Sequence, residues 1–384
     1  MLNKGVHPVI PSQGSVGASG DLTPLAHMAL VMLSLGEAEF NGEIFPGNEV
    51  MKKAGIEPLV LESKEGIALI NGTQAMTALG TLTLYDAYSL VRSAEITASL
   101  SIEALRGNIE QYDEDIQKAR PYQGQINCAK NIRKILNKSK LISKGFNKIR
   151  VQDPYSFRCI PQVHGAVRNS LNHVRDVLKV EMNSATDNPL IFSDRGEILS
   201  GGNFHGQPVA IVLDFLSIAL SQLGNIAERR IDNLVNCRDK ILPPCLIKER
   251  GLNSGFMLTQ YLAASLVSEN KVLSHPASVD SIPTAAGQED FVSMGTIAAR
   301  KAKEILKNVE KIIGIELLCA CQAIDFHNPI KLGKGTKVAY NLLRDKVSKL
   351  ETDRVMAPDI EEAIELIKTD ELLKSVEKLI GKLA

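Results

Sequence analysis

Apolar side chains recur every three to four residues along most of the chain, which is the spacing of one face of a helix. Strand signals are few, and the run PLIF at 189–192 followed by GEILSGG predicts one small hairpin. The helical spacing predicts helices over 72–107, 166–183, 206–236, 254–274, 289–324, 337–350 and 359–382.

Several of these predicted helices are longer than most helices of globular proteins. The segment 206–224 is apolar almost all round, which predicts a helix buried on every side. Long buried helices predict an all-α, long-helix bundle whose burial is completed by sister subunits. The amphipathic stretch 359–382 is typical of a surface helix or helix pair, with partner or membrane binding as the alternative. No Gly/Ser-rich or charged linker divides the sequence, so we expect a single α-helical domain over 1–384.

The composition argues against several classes of protein. Of the 384 residues, 44% are hydrophobic, which is enough for a sizeable core. Lys plus Arg equals Asp plus Glu, at 44 each, and Trp is absent, which argues against nucleic-acid or acidic-membrane partners. The run PVAIVLDFLSIALSQL contains Asp214 and is too short to cross a bilayer, and MLNKGVHPVIP lacks the apolar core of a secretory signal. We therefore expect a soluble, cytoplasmic protein.

The cysteines give no sign of a metal site. None belongs to a CxxC pair, and no paired cysteines stand near two histidines at zinc spacing. Such free cysteines are mostly buried small side chains, and a reduced, intracellular setting fits them. The six are Cys128, Cys159, Cys237, Cys245, Cys319 and Cys321.

One loop near the start, PSQGSVGASGDLTPLAH at 11–27, is rich in glycine and serine. If the Gly20 nitrogen is forced against the Ala18 carbonyl, a five-membered ring can close. Loss of water from the ring and from the Ser19 side chain then leaves a methylidene-imidazolone, a strong electrophile. The small residues Ala18 and Gly20 permit such crowding. Taken alone, Ala-Ser-Gly is equally typical of a plain loop, and Asp21 of a helix N-cap.

The sequence resembles the histidine and aromatic amino acid ammonia-lyases through several long motifs in the same order. They cover 1–295, and the helices of 296–384 suit the C-terminal part of that family. The motifs are GSVGASGDLTPLAHMAL, LINGTQAM (69–76), VQDPYSFRCIPQVHGA (151–166), ATDNPLIF (185–192), GGNFHGQPVA (201–210) and GQEDFVSMG (287–295).

The resemblance implies that Ala18, Ser19 and Gly20 form the methylidene-imidazolone without any metal, and that Asp21 assists the dehydrations or holds the loop. It implies that Asn71 hydrogen-bonds the carbonyl of the electrophile or the departing amine. From the residues alone, Asn71 before a glycine is also ordinary turn chemistry.

The segment QDPYSFR carries three further candidates. The resemblance implies that Arg158 clamps the substrate carboxylate, a task that suits a bidentate guanidinium. Tyr155 would orient the electrophile or the substrate, and Gln152 would contact the substrate. The alternatives are a surface salt bridge for Arg158 and a core position for Tyr155.

The later motifs bear on the side chain of the substrate. Phe204 would pack against the electrophile, and the neighbouring His205 is a ligand, a base or a structural histidine. Glu289 stands where histidine-specific members commonly carry Glu and phenylalanine enzymes Gln, because a carboxylate pairs with imidazole and is desolvated beside a phenyl ring. Its alternative is an acid in the first turn of a helix. Here Phe291 follows where most histidine enzymes have His.

The resemblance therefore implies non-oxidative elimination of ammonia from L-histidine to give urocanate. The alternatives are a tyrosine or phenylalanine ammonia-lyase or aminomutase, and an inactive fragment or scaffold subunit. The family assembles as homotetramers with each site shared between chains.

In the family, the catalytic base is a tyrosine on a mobile loop that precedes the Ala-Ser-Gly motif. Because MLNKGVHPVIP already reads like the approach to that motif, the sequence resembles an N-terminally truncated lyase. We expect a truncated gene model, a split enzyme with a separate N-terminal chain, or a remnant.

Overall fold

The computed structural model describes residues 1–142, 144–145, 148–236 and 239–384. Helices dominate this part of the chain, as the all-α prediction required. They are α1 (Leu22–Met32), α2 (Gly47–Ala54), α3 (Glu65–Ile70), α4 (Gln74–Ala104), α5 (Glu114–Lys118), α6 (Gln123–Ile135), α7 (Tyr155–Arg158), α8 (Ile160–Glu181), α9 (Gln207–Val235), α10 (Met257–Leu273), α11 (Gly295–Ile324), α12 (Lys334–Arg344), α13 (Ala357–Lys368) and α14 (Glu371–Ile380). Short 3-10 helices cover Leu2–Lys4, Glu110–Tyr112, Ser193–Arg195, Pro244–Leu246, Ala285–Gly287 and Pro329–Lys331.

Two small antiparallel sheets accompany the helices. One has three strands in the order β1 (Val6–Pro8), β2 (Glu37–Phe40), β3 (Glu43–Pro46), with Val6 opposite Phe40 and Ala38 opposite Phe45. The other is the hairpin of β4 (Leu190–Phe192) and β5 (Glu197–Leu199), with Ile191 opposite Ile198. The hairpin confirms the strand prediction at 189–192, whereas the first sheet was not predicted.

The chain divides into two compact units. The first unit comprises Met1–Leu82, Val174–Phe215 and His275–Lys303, and the second comprises Thr83–His173, Leu216–Ser274 and Glu304–Ala384. The boundaries fall inside α4, α8, α9 and α11, so each of these helices contributes residues to both units. The prediction of a single domain stays a prediction.

The first unit has a small apolar core under the three-stranded sheet. Strands β1 and β2 and helices α1 and α2 supply its buried side chains, and Phe40 and Phe45 pack on it. Apolar faces of this kind supply most of the stability of such short elements. The core residues are Val6, Val31, Ala38, Val50, Met51 and Ala54.

The interior of the second unit holds ion pairs among its apolar side chains. Arg230 and Glu316 are fully buried, and Arg230 donates to both oxygens of Glu316 at 2.6 and 2.9 Å. The hydroxyl groups of Thr97 and Ser101 also donate to Glu316. A buried charge persists only when it is paired and hydrogen-bonded in this way, so these contacts fix how α4, α9 and α11 pack.

One face of helix α9 is exposed in the single chain. Ile211, Phe215 and Ile218 lie at helical spacing and are 53%, 39% and 42% exposed, so the chain alone does not bury the helix on every side, and burial by sister subunits stays a prediction. The helix is also longer than the apolar run considered above, and by length and composition it could cross a membrane. However, 72% of its most apolar window is buried inside the protein, which is typical of a core helix.

The cysteines of the described residues are free, and Cys128, Cys245, Cys319 and Cys321 are buried. This burial agrees with their interpretation as small apolar side chains. Burial raises the pKa of Cys319 and of Cys321 to about 12, so both stay protonated thiols. Cys237 lies outside the described residues.

Candidate active site

The Ser19 loop (residues 14–21) has a backbone that few side chains tolerate. Ser19 itself has φ 47°, and Gly17 and Gly20 have φ 84° and 76°, in the left-handed region. A Cβ on Gly20 would overlap the carbonyl of Gly72 and lie 3.0 Å from the Phe204 oxygen. Only glycine therefore fits at position 20, and the backbone around Ser19 is held under strain.

Backbone hydrogen bonds hold this loop against its neighbours. Asp21 N donates to Gly72 O at 2.7 Å, and Gly72 N donates to Ser19 O at 3.3 Å, which makes a short bridge between the two segments. Gly20 N donates to Gly17 O at 3.2 Å, and Met294 N donates to Val16 O at 2.9 Å. The predicted ring-forming residues thus lie in a loop that is fixed on both sides.

The Asp21 side chain holds the Ser19 loop to the helices α4 and α11. Its carboxylate is fully buried and accepts hydrogen bonds from Met76 N at 2.8 Å and from the Thr296 hydroxyl at 2.5 Å. Burial raises the pKa of Asp21, and these two hydrogen bonds oppose that rise. Its side chain makes no capping bond to α1, so the N-cap interpretation is wrong for the carboxylate. Asp21 instead ties the loop to the starts of α4 and α11.

Glu289 contacts the Ser19 loop directly. The Ser19 hydroxyl donates to Glu289 Oε1 at 2.9 Å, and the Thr284 hydroxyl donates to Oε2 at 2.8 Å. Glu289 lies in a loop that includes Ala285 and Ala286 at φ 46° and 55°, and α11 begins only at Gly295. The alternative of a helix first turn is therefore wrong, and the carboxylate is aimed at Ser19 by the loop.

Asn71 and Phe204 lie against the same loop. Asn71 directly follows α3 and is 4% exposed, and its Nδ2 donates to Asp187 Oδ1 at 3.0 Å. Phe204 is half-buried and presents its carbonyl to Gly20. Since Asn71 immediately precedes Gly72, the first unit brings together Ser19, Asn71, Phe204 and Glu289.

His205 has both ring nitrogens engaged. Gln207 N donates to its Nδ1 at 3.3 Å, so Nδ1 is the unprotonated nitrogen and Nε2 donates to Phe291 O at 3.1 Å. The ring also stacks on Phe291, with centroids 5.9 Å apart. These contacts leave no free nitrogen for a base, and they favour the structural interpretation of His205.

The second unit contains the other predicted site residues in one pocket. Tyr155 is 73% exposed, and the Arg158 guanidinium carbon lies 4.9 Å from the centre of its ring. We call this cavity of about 520 Å³ the Arg158 pocket. Its lining residues are Leu105, Arg150, Gln152, Asp153, Pro154, Tyr155, Arg158, Asp232, Asn233 and Asp239.

Buried contacts fix the floor of the Arg158 pocket. Asp153 is 3% exposed and accepts from Asn108 N at 2.7 Å and from Gln111 Nε2 at 2.9 Å, while Arg150 pairs with Asp153 and Asp239. Arg158, in contrast, forms no ion pair with any acid in the part of the chain that the structure describes. Its guanidinium is therefore the open cation of the pocket.

Glu95, Cys128 and His164 form a buried group that resembles a metal site. Their ligand atoms lie within 4.8 Å of one another. However, Arg168 donates to both oxygens of Glu95 at 2.7 and 2.8 Å, and Asn131 donates to it at 2.7 Å. A metal ion would displace these donors and leave a buried Arg charge without its partner. We therefore assign no metal to this group.

Several residues that contact the site were not singled out from the sequence. Asp187 lies inside the quoted motif ATDNPLIF, so that motif was the available signal, but its contact with Asn71 spans 116 positions. Asp153 likewise lies inside the quoted motif VQDPYSFRCIPQVHGA, and Thr284 lies only 5 positions before its partner Glu289. Nothing local in the sequence marks Lys64 or Thr296, whose partners are 123 and 275 positions away. The residues not singled out are Lys64, Asp153, Asp187, Thr284 and Thr296.

The long helices and the strained Ala-Ser-Gly loop agree with a match to a known family. Residues 1–345 of this chain match the family model described as aromatic amino acid lyase. The chain belongs to this family. Among its relatives, the histidine ammonia-lyase of Alkaliphilus oremlandii is 56% identical over 380 residues, which cover 99% of this chain and 75% of the relative.

Solved structures agree with this assignment. The histidine ammonia-lyase of Trypanosoma cruzi superposes with a TM-score of 0.91 and is 44% identical, covering 98% of this chain and 72% of that chain. The tyrosine aminomutase of Streptomyces globisporus superposes with a TM-score of 0.94 at 40% identity, covering 100% and 76% of the two chains. These neighbours confirm the long-helix fold of the histidine and phenylalanine ammonia-lyase type.

Proposed function

We propose that this chain catalyses the non-oxidative elimination of ammonia from L-histidine to give urocanate. The observation that carries the proposal is the Ser19 loop, in which a strained Ala-Ser-Gly backbone faces the carboxylate of Glu289. The similarity to histidine ammonia-lyases at more than half of the aligned positions supports the choice of histidine.

The electrophile of the proposal is a methylidene-imidazolone made from Ala18, Ser19 and Gly20. Its formation needs Gly20 without a side chain and a strained backbone around Ser19, and the loop offers both. The first water takes the Ala18 carbonyl oxygen and the amide hydrogens of Ser19 and Gly20. The second water takes the Ser19 hydroxyl and the Ser19 Cα hydrogen, so the atoms balance without an oxidant. Once formed, the group activates the substrate for loss of its amine.

Glu289 would recognise the imidazole ring of the substrate. In the unreacted loop its Oε1 accepts the Ser19 hydroxyl. Loss of that hydroxyl in the second dehydration leaves Oε1 without this donor. A half-buried carboxylate with an open acceptor is a fitting partner for an imidazole N–H. Phe204, beside Gly20, would form the apolar side of the same site.

Arg158 would bind the substrate carboxylate, because its guanidinium is the open cation of the Arg158 pocket. Tyr155 and Gln152, in the same pocket, would orient the substrate through their polar groups. These residues belong to the second unit, whereas Ser19 and Glu289 belong to the first. We propose that copies of the chain complete one another's sites.

The assembly proposed is a homotetramer in the cytoplasm. The exposed apolar face of α9 and the exposed Leu258, Tyr261 and Leu262 of α10 support burial against further copies of the chain. Free cysteines support a reducing compartment. Analytical ultracentrifugation of the purified chain tests the tetramer, and a monomer at micromolar concentration would contradict it.

Intact mass spectrometry of the purified chain tests the electrophile. We expect a mass two waters below that of the unmodified sequence, and we expect Ser19→Ala to abolish that loss. Ser12→Ala, at an exposed serine of the same segment, is the matched control and should keep the loss. An unmodified wild-type mass would contradict the proposal and would favour a scaffold or fragment without catalysis.

A second candidate is a lyase or aminomutase that acts on tyrosine or phenylalanine. It is favoured by Phe291, where the histidine enzymes resembled here mostly have His, and by the likeness to the tyrosine aminomutase structure. Consumption of L-histidine, L-tyrosine and L-phenylalanine, followed in parallel together with any ammonia released, separates the candidates, because an aminomutase moves the amino group without releasing it. Consumption of tyrosine or phenylalanine with histidine untouched would replace the first proposal by the second.

A further inference from the structure

The carboxamide of Asn71 has only one orientation that satisfies its neighbours. Its Nδ2 lies 3.0 Å from Asp187 Oδ1 and 3.2 Å from Asn188 O. A carboxylate and a carbonyl oxygen can only accept hydrogen bonds, so the end of the amide that faces them must be the NH₂ group. Both of its hydrogens are then engaged, and Oδ1 is the polar atom left for a ligand.

Lys64 fixes the two acceptors. Its Nζ donates to Asp187 Oδ2 at 2.6 Å and to Asn188 O at 3.2 Å, and both partners of the ion pair are about three-quarters buried. Burial alone would raise the pKa of Asp187, but the Lys64, Asn188 and Asn71 donors together lower it, so the group is an anion. A carboxylate anion has no hydrogen to donate, so it cannot bond to Asn71 Oδ1. The Asn71 amide therefore keeps its NH₂ group towards Asp187.

The chain places these residues close together for a simple reason. Lys64 directly precedes α3, with φ 76°, and Asn71 directly follows it, so the two ends of a six-residue helix both face Asp187. Asp187 lies just before the Asn188–Pro189 bond. Asn188 N donates a hydrogen bond to Asp187 Oδ1 at 2.6 Å, which fixes the loop that carries Asp187. The arrangement is therefore rigid on both sides of Asn71.

We propose that Lys64 and Asp187 are positioning residues that turn the Asn71 carboxamide so that its oxygen faces the substrate. This inference rests on the proposed function, and it selects between the two roles open to Asn71. With its hydrogens engaged, Asn71 cannot donate to the carbonyl of the electrophile. It accepts a hydrogen bond from the amino group of the amino acid, which is the group that departs.

A double-mutant cycle on ammonia release from L-histidine tests the proposal. We expect Asp187→Ala to lower kcat/KM about tenfold in the wild-type background and less than about twofold in the Asn71→Ala background. Lys64→Met, which keeps the carboxylate, should cost about threefold. Equal losses from Asp187→Ala in both backgrounds would overturn the proposal, because a structural role does not depend on Asn71.

The amino group itself can be tested by binding. In the inert Ser19→Ala background, calorimetry compares L-histidine with 3-(imidazol-4-yl)propionate, which lacks the amine. We expect Asp187→Ala to weaken binding of L-histidine about tenfold and to leave the deamino compound unchanged. Equal weakening of both ligands would overturn the acceptor role. Glu197→Gln, which removes an exposed ion pair with Arg195 on the nearby hairpin, is the control and should change neither.

Two readouts separate this inference from the proposed function. If the wild-type chain neither loses two waters nor releases ammonia, the proposed function fails. The crystal structure of Asp187→Ala then decides the inference alone, with thermal unfolding as the check that the variant folds. An Asn71 side chain displaced from the Asn188 carbonyl supports the inference, and an unchanged side chain overturns it.

Discussion

The Ser19 loop and the Arg158 pocket use their polar groups in opposite ways. Around Ser19, hydroxyls, amides and carboxylates are engaged with one another and the backbone is strained. In the Arg158 pocket the floor is engaged, but Arg158 has no acid partner among the described residues and Tyr155 is mostly exposed. We infer a division of tasks, in which the Ser19 loop supplies the backbone chemistry and the Arg158 pocket binds the substrate carboxylate.

The largest effect is expected at the close approach of Gly20 to Gly72. Gly20→Ala places a methyl group on the Gly72 carbonyl, so the loop must open and the electrophile should not form. We expect an unmodified mass and ammonia release lowered at least about a thousandfold. Gly201→Ala, where a Cβ meets open space, should behave as wild type. A dehydrated Gly20→Ala chain would show that glycine at position 20 is not required for the dehydration.

A smaller effect is expected in the Arg158 pocket. Arg158→Met removes the open cation, so KM for L-histidine should rise about a hundredfold, equivalent to roughly 3 kcal/mol, while the two waters are still lost. Steady-state kinetics and intact mass together measure this. Arg175→Met, at an exposed arginine of α8, is the control. If Arg158→Met also blocked dehydration, the division between the two regions would be wrong.

Substitution of Glu289 should change selectivity more than rate. Glu289→Gln keeps the shape and a hydrogen bond but removes the charge, so kcat/KM for L-histidine should fall about tenfold and that for L-phenylalanine should rise. Parallel assays with both amino acids measure the ratio. An unchanged ratio of the two kcat/KM values would show that Glu289 does not recognise the side chain of the substrate.

The last prediction concerns stability and not chemistry. Glu103, in the second unit, is buried against Gly333 N, and burial raises its pKa to about 7 from 4.5. Because the folded state binds this proton more tightly than the unfolded chain, stability should fall as the pH rises from about 4.5 to about 7.

The free energy of unfolding should fall by on the order of 2 kcal/mol between pH 5 and pH 8 because of Glu103. Glu103→Gln should remove that part of the pH dependence. Thermal unfolding at the two pH values measures it, with Glu361→Gln at an exposed site of α13 as control. A variant whose unfolding temperature shifts with pH as much as that of wild type would contradict the assignment.

The helices could be predicted because their apolar spacing is local. The ranges 206–236 and 254–274 correspond closely to α9 and α10. The range 289–324 began too early, since α11 starts only at Gly295 and Met294 before it takes a left-handed conformation that the apolar pattern does not reveal. The three-stranded sheet was missed because its strands are only three or four residues long.

The candidate site was predictable only through its motifs. The residues around Ser19 came from the quoted motifs, whereas the hydrogen bond from Ser19 to Glu289 joins positions 270 residues apart. Lys64 stands in a run of polar residues with no motif of its own, and its partner Asp187 is 123 positions away. Contacts of this kind depend on the folded chain, which no local pattern encodes.

The meeting of Gly20 with Gly72 also constrains how this protein can vary. Where two side chains clash, a second substitution can make room, but here an added side chain would strike the main chain, which every residue type carries. A Cβ on Gly72 would in turn crowd Gln74 and Thr186. Those are side-chain atoms that a second substitution could remove, whereas Gly20 has no compensating replacement on the opposite segment. Random mutagenesis with selection for activity should therefore leave position 20 fixed while the surface around it drifts.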